Sequence, residues 1–157
     1  MIIISKLIGV SLTLLIVASM ASAVVIESPA DQISNLNALA AKLIDRGFIS
    51  GAIVDPTTLS IVGKTANFMI SGGEIKDLVD NIRGSLYING KGVVLKGVTY
   101  QLIKTLKGSL VADQGKDRLI VRQATRARWF IAFCGENLTR DNAEWAMLDV
   151  VRFLQFY

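Results

Sequence analysis

The sequence predicts an α+β domain in which one antiparallel sheet carries helices on both faces. Apolar residues recur at helical spacing near the start and at the end of the chain, and short extended segments divided by turn residues fill most of the space between them. Strands and helices do not alternate regularly, as they would around a parallel sheet. We expect the N- and C-terminal helices to pack side by side on one face and a shorter helix to cover the other.

Three segments have the pattern of helices. The first begins at Ser28-Pro29, a pair that suits an N-cap and the first helical position, and it ends before Gly47. The second begins at Ser71, which has capping-box spacing to an acid three residues later, and it runs to Gly84. The third begins near Thr139, and its apolar stripe continues to the end of the chain.

Short β-type runs account for the rest of the domain. Residues 51–54 and 59–62 flank a Pro-Thr-Thr turn and predict a hairpin, and residues 66–70 predict a third strand. After residue 84, Asn-Gly and single glycines separate five further runs. These predicted strands cover residues 86–88, 93–96, 99–104, 118–122 and 129–134.

The composition excludes most hydrolytic chemistry. The 157 residues include no His and one Cys, Cys134. They therefore cannot form a zinc cluster, a disulfide framework, a Ser-His-Asp triad or a Cys-His dyad. No paired-carboxylate site and no glycine-rich phosphate loop is present in the sequence either. We expect a protein that is not an enzyme and that carries no metal or cofactor.

The first 26 residues differ from the rest of the chain. Residues 7–26 carry no charge, and Lys6 is the only charged residue before Glu27. A lysine, an apolar run and Ala21-Ser22-Ala23 together are typical of a secretory signal, while the length of the run would also span a bilayer. We therefore divide the chain into an apolar leader, residues 1–26, and a domain, residues 27–157. An extension that packs on the domain is the alternative.

Positive charge is concentrated in the middle of the chain. Residues 83–128 contain ten basic and two acidic residues, a net charge of +8, whereas residues 24–82 and 129–157 carry −3 and −2. Such a block predicts an acidic partner, either a protein surface or anionic lipid head groups. It does not favour nucleic acid, because Tyr87 and Tyr100 are its only aromatic residues. A solvated strand surface is the alternative.

The order of the elements and several local strings resemble profilin, the small actin-binding family, from about residue 33 to residue 157. Residues 42–54 resemble the end of the family's first helix and its first strand, and residues 86–90 resemble its strand and Asn-Gly turn. Residues 95–104 resemble the next strand pair, and the chain ends in a helix at Tyr157. The resemblance implies the profilin fold and a monomeric, cytoplasmic protein of the cytoskeleton.

The resemblance also implies that the domain binds an actin monomer. The contacts would come from the sheet edge and the start of the last helix, with apolar residues and cations facing an acidic partner. The matching positions in this sequence are Tyr87, Ile88, Thr99, Lys104, Arg122, Asn137 and Asn142. Several of them fall in the positively charged block, which was derived independently of the resemblance.

Profilins bind proline-rich segments on an aromatic platform between the two terminal helices, because a polyproline helix is already ordered and aromatic rings offer it flat apolar contact. This chain departs from that pattern. Leu36 and Leu39 replace the aromatic residues of the first helix, and Trp145, Phe153, Phe156 and Tyr157 remain in the last one. The partial platform implies weak to moderate binding of proline-rich peptides. Anionic phospholipids, phosphoinositides among them, are a further implied partner.

The leader is a second departure, since profilins have no signal segment. One hypothesis is that residues 1–26 lie over the face formed by the terminal helices and control access to it. The alternative function is that of an exported or membrane-tethered sensor domain, anchored or secreted through residues 1–23 and similar in layout to PAS-type ligand-binding modules.

Overall fold

The computed structural model describes residues 28–84, 92–106 and 108–157. These residues form one seven-stranded sheet with three helices, so the predicted α+β class is confirmed. The helices are α1 (Pro29–Asp45), α2 (Gly72–Gly84) and α3 (Arg140–Arg152), and α3 continues into a 3₁₀ turn (Phe153–Phe156). The strands are β1 (Ser50–Asp55), β2 (Ser60–Lys64), β3 (Val93–Leu95), β4 (Val98–Leu106), β5 (Ser109–Gln114), β6 (Asp117–Gln123) and β7 (Trp129–Cys134).

The strand order is β2-β1-β7-β6-β5-β4-β3, and each of these neighbours pairs antiparallel. Strands β3 to β7 form a meander, in which each strand pairs with the one that follows it in the chain. The N-terminal hairpin joins this meander through β1, which pairs with β7. The first and last strands of the domain are therefore neighbours, and this brings the two terminal helices onto the same side of the sheet.

Two apolar cores lie on opposite faces of the sheet. On one face, Leu43 of α1 and Met147 of α3 pack with Phe130 of β7, and all three are buried. On the other face, Ile75 of α2 packs with buried residues of the central strands, among them Val121. The prediction that the terminal helices share one face and a shorter helix covers the other is confirmed.

Local chemistry sets the ends of the helices, as the sequence indicates. The Ser28 hydroxyl accepts from the Asp31 N–H at 3.2 Å, and the Asp31 carboxylate accepts from the Ser28 N–H at 3.3 Å, which forms a capping box. Ser71 and Glu74 make the same pair of bonds at the start of α2. Gly47 follows α1 with φ +93°, a conformation that glycine adopts without strain.

Two strand predictions fail for identifiable reasons. Residues 66–70 form a turn and an extended segment, because Asn67 and Thr65 bond to the backbone of the β1 region and take the chain out of the sheet. β5 was not predicted. Its first four residues are all buried at the centre of the sheet, so the apolar-polar alternation that reveals a half-buried strand is missing. The strand predicted at residues 86–88 lies outside the described residues.

The leader, residues 1–26, also lies outside the part of the chain that the structure describes. Among the described residues, no helix is both long enough and apolar enough to cross a bilayer.

Candidate protein-binding face

Lys104 lies at the centre of a partly open sheet face beside α3. A bulge in β4 between Leu102 and Lys104 sets Lys104 opposite Val111 of β5. Its ammonium donates a hydrogen bond to the Glu144 carboxylate of α3 at 3.0 Å, and the two side chains are 41% and 24% exposed. The ion pair joins the strand to the helix and leaves part of both groups open to solvent.

An apolar strip continues from Lys104 toward the edge of the sheet. Val94 of β3 is 57% exposed and lies opposite Thr99 of β4. Ile103, in the bulge next to Lys104, is 42% exposed. We did not select Val94 or Ile103 from the sequence. No local signal in the sequence identifies them, because adjacent apolar residues in a sheet with a core on each face can both be buried, as Leu110 and Val111 of β5 are.

Arg122 supplies a second cation to this face. It lies on β6 opposite Ser109 of β5 and Phe130 of β7, and Phe130 belongs to the core beneath the terminal helices. Arg122 is half-buried, and within the described residues no carboxylate lies within ion-pair distance of it. Its charge is therefore not neutralised there by an ion pair.

A charged network holds the start of α3 against the sheet. The Arg118 guanidinium donates to both oxygens of Asp113 at 2.7 and 3.2 Å and to the Leu138 carbonyl at 2.9 Å. Arg140 of α3 donates to the same carboxylate at 3.2 Å. Burial opposes ionisation of Asp113, but the bonds from the two arginines outweigh it and lower the pKa of this carboxyl group.

The two predicted asparagines lie around the same helix start. Asn142 is exposed in the first turn of α3, and its N–H donates to the hydroxyl of the N-cap Thr139 at 3.3 Å. The Asn137 side chain donates to the Gly47 carbonyl at 2.8 Å and so ties the β7–α3 loop to the end of α1. The structure thus gives Asn137 a structural bond, while the Asn142 side chain remains at the surface.

The predicted positions are only partly brought together. Thr99 and Lys104 lie on β4, Arg122 lies two strands away on the same face as Lys104, and Asn142 lies at the start of α3 beside that face. Tyr87 and Ile88 fall outside the described residues.

The positively charged block is less positive in space than in sequence. Of the eight cations of this block that the structure describes, four lie against carboxylates. The pairs are Lys104–Glu144 at 3.0 Å, Lys116–Glu136 at 2.9 Å, Arg118–Asp113 at 2.7 Å and Arg128–Asp55 at 3.5 Å. Three of these carboxylates come from the acidic flanks of the chain, so the sum over residues 83–128 overstates the local field.

The groove between α1 and α3 differs from an open aromatic platform. Leu39 is fully buried and Leu36 is 8% exposed, so neither side chain offers surface to a ligand. Trp145 is 63% exposed, Phe156 73% and Tyr157 43%. Trp145 lies eight residues before Phe153, about 12 Å along a helix.

Charged groups cross this groove. Arg46 pairs with Asp149 at 3.3 Å, and the Lys42 ammonium lies 4.8 Å from the centroid of the Phe153 ring. The exposed aromatic surface is therefore divided into Trp145 and a cluster at the C-terminus, with polar groups between them.

The family model for Profilin matches residues 34–155. The chain belongs to the profilin family. No curated protein sequence matches it. Sequence divergence is thus large, although the family match spans almost the whole domain.

Solved structures share the fold of this profilin at low identity. Profilin II of Acanthamoeba castellanii is 17% identical, with a TM-score of 0.68 over 78% of this chain and 99% of that one. The Schizosaccharomyces pombe profilin is 20% identical, with a TM-score of 0.66 over 76% and 95%. LokiProfilin2, solved in complex with rabbit actin, is 13% identical, with a TM-score of 0.63 over 76% and 95%.

Reactive groups are few in this profilin. Among the described residues, no three His, Cys, Asp or Glu side chains lie close enough to hold a metal ion. Burial raises the pKa of the Cys134 thiol to about 11, so the thiol is protonated at neutral pH.

Proposed function

We propose that this profilin binds actin monomers and thereby regulates filament assembly. The observation that carries the proposal is the family match over residues 34–155, and it is supported by LokiProfilin2, which shares the fold and was solved in complex with rabbit actin. The binding surface in this proposal is the face of β3 to β6 beside α3. It combines exposed apolar residues with cations, a composition that suits the core and rim of a protein interface.

The residues divide between two tasks in this proposal. Val94 and Ile103 supply apolar area that loses water on binding, and Thr99, on β4 opposite Val94, supplies a small polar contact. Lys104 and Arg122 face carboxylates of actin, where they favour encounter and fix orientation. Tyr87, Ile88, Asn137 and Asn142 complete the set that the family resemblance implies. By covering one face of the monomer, the protein leaves one end of the filament free to grow.

An actin assembly assay with the full-length protein tests this proposal. We expect spontaneous polymerisation, followed by pyrene fluorescence and by sedimentation, to slow as the protein approaches equimolar amounts. Unchanged assembly at stoichiometric protein would remove the proposed function.

We also propose weak binding of proline-rich peptides at the C-terminal aromatic cluster. Phe153, Phe156 and Tyr157 lie within one turn and a half, and the last two are well exposed. The surface available to the peptide comes from the C-terminal helix alone, because Leu36 and Leu39 of α1 lie within the core. A titration of the full chain with a proline decamer, followed by amide chemical shifts, tests this. Tyr157→Ala should abolish the shifts, while Trp145→Ala, about two turns before Phe153, should preserve them. An absence of shifts at millimolar peptide would contradict the proposal.

Anionic phospholipids are a further proposed partner. Arg126 is exposed in the β6–β7 turn, and Arg122 lies nearby on β6; neither is ion-paired within the described part of the chain. Cosedimentation with vesicles that contain phosphoinositide should therefore exceed that with neutral vesicles and fall with added salt. Equal sedimentation with both kinds of vesicle would rule this partner out.

The family resemblance leads us to propose that the protein acts in the cytoplasm as a monomer. The leader is the part of the chain that opposes this location. N-terminal sequencing of the native protein decides between the two: an N-terminus at residue 1 agrees with the proposal, whereas one near Val24 indicates export.

A further inference from the structure

A concave site lies at the end of the sheet where β1 and β6 begin and β7 ends. It has a volume of about 240 Å³ and is open to solvent on one side. Phe133 and Tyr100 form an aromatic floor with ring centroids 5.9 Å apart, and Leu95 adds apolar surface. These residues belong to the core on the α2 side, so the cavity is separate from the face proposed for actin.

Lys96 occupies a backbone conformation that suits other residues better. It has φ +52° and precedes Gly97, with φ +72°, in the two-residue turn between β3 and β4. Such turns favour Asn, Asp or Gly at both positions, because a Cβ and a long side chain are strained at positive φ. The Lys96 N–H donates to the Glu74 carboxylate, which holds the turn against α2. Strain of this kind in a binding loop is often retained for function.

The side chain of Lys96 reaches the edge of the cavity. Its ammonium lies 5.9 Å from the centroid of the Phe133 ring, at the edge of the cavity. Asp117, at the start of β6, lines the same cavity. Among the described residues, neither charge has an ion-pair partner within 4.0 Å, and the two do not pair with each other. The rim therefore presents one cation and one anion, neither of which is held in an ion pair within the described residues.

Two hydroxyl groups complete the lining. Ser50, which is 7% exposed, lines the cavity and carries one of them. Burial, and secondarily the charge of Asp117, raise the pKa of Tyr100, so its phenol is neutral at physiological pH and can donate or accept a hydrogen bond. The site thus combines an apolar floor, two opposite charges and neutral hydrogen-bonding groups.

We propose that this cavity binds a small zwitterion, an α-amino acid with an apolar side chain. Its carboxylate pairs with Lys96, its ammonium pairs with Asp117, and its side chain packs on Phe133 and Leu95. A ligand with one charge would leave the opposite charge of the rim unmatched on desolvation, which costs binding energy. The volume is below the range of about 300–1,000 Å³ that drug-sized ligands occupy, which favours a ligand of amino-acid size.

The first test compares leucine with two analogues that each lack one of its charged groups. Full-length protein is titrated with leucine, with 4-methylpentanoate, which lacks the ammonium, and with 3-methylbutylamine, which lacks the carboxylate. We expect leucine to give saturable shifts of the amide signals of Lys96, Tyr100 and Asp117. Each analogue should bind at least about tenfold more weakly than leucine. An absence of saturable shifts with leucine at ~10 mM would overturn the proposal, and so would an analogue that binds as tightly as leucine.

The second test separates binding from turn structure. Lys96→Asn places a preferred residue in the turn and removes the ammonium, so we expect a higher melting temperature together with loss of the leucine shifts. Asp117→Asn should also abolish the shifts, and Asp77→Asn on α2 serves as the control, because it removes a carboxylate outside this cavity. If leucine still binds the Lys96→Asn and Asp117→Asn variants as it binds the parent protein, the site is wrong.

Discussion

Charge reversal at Lys104 tests the proposed actin face most directly. In the native structure this lysine pairs with Glu144 at 3.0 Å, and both groups are partly exposed. Lys104→Glu removes that ion pair and sets two carboxylates side by side on β4 and α3. It also replaces an attraction toward an acidic partner with a repulsion. The substitution therefore affects stability and binding separately, and each effect can be estimated.

The effect on stability is small. A partly exposed ion pair contributes about 0.2–1 kcal/mol, and repulsion between two solvated carboxylates is of similar size, so the free energy of unfolding should fall by about 0.4–2 kcal/mol. The effect on binding is of similar size in free energy, but it is measured directly as a change in the dissociation constant. Two unit charges 4 Å apart interact by about 4 kcal/mol at an effective dielectric constant of 20, and solvent and salt reduce this further. A loss of about 1–2 kcal/mol corresponds to an affinity for actin about 5–30-fold weaker.

The matched control is Lys76→Glu. Lys76 is also an ion-paired lysine, 2.5 Å from Asp80, but it lies on α2, beneath the opposite face of the sheet. Both variants change the net charge equally, so any general loss of attraction to actin is common to them. The dissociation constant for actin monomers should rise for Lys104→Glu and stay near the parent value for Lys76→Glu. Similar constants for both variants would show that Lys104 does not contact actin.

Two further predictions concern stability. In Gly63→Ala the new Cβ would lie 2.5 Å from the Leu36 carbonyl oxygen, which is backbone and cannot rotate away, so we expect a loss of about 2–3 kcal/mol in chemical denaturation. Gly73→Ala, whose Cβ would have its nearest contact at 4.0 Å, should be neutral or stabilising by ~0.5–1 kcal/mol, and equal unfolding midpoints for the two would contradict this packing. The lowered pKa of Asp113 means that its ion pairs stabilise the fold at neutral pH and that this contribution disappears as the pH falls below 3.8, its ordinary value. Asp113→Asn should therefore lower the melting temperature at neutral pH, and the difference from the parent protein should vanish in acid; a difference independent of pH would contradict this.

The parts of the fold that depend on local chemistry were predictable from the sequence. Ser28 and Ser71 set the starts of two helices because their capping bonds involve residues only three positions away. Gly47 ended a helix for an equally local reason. β5 was missed because its first four residues are buried whichever face they point to, and that burial depends on elements distant in the chain that the local sequence does not specify.

In the candidate site, too, some features follow from the local sequence and others depend on residues distant in the chain. Lys104 and Arg122 could be placed on strands, but the carboxylate that pairs with Lys104 lies 40 residues further along the chain. A sum of charges over a segment cannot include such partners, and it therefore overestimated the positive character of the face. Val94 and Ile103 were overlooked because an apolar residue in a strand is by default assigned to the core, and only the register shows that these two point outward.

β4 contributes to both proposed sites, because alternate residues of a strand point to opposite faces. Thr99 faces the side proposed for actin, and Tyr100 faces the cavity proposed for an amino acid. The two sites can therefore be tested independently on one strand and its turn. Lys104→Glu should weaken actin binding and preserve the leucine shifts. Lys96→Asn should preserve actin binding and abolish the leucine shifts. If either variant impairs both ligands equally, a general disturbance of β4 explains the losses better than two separate sites.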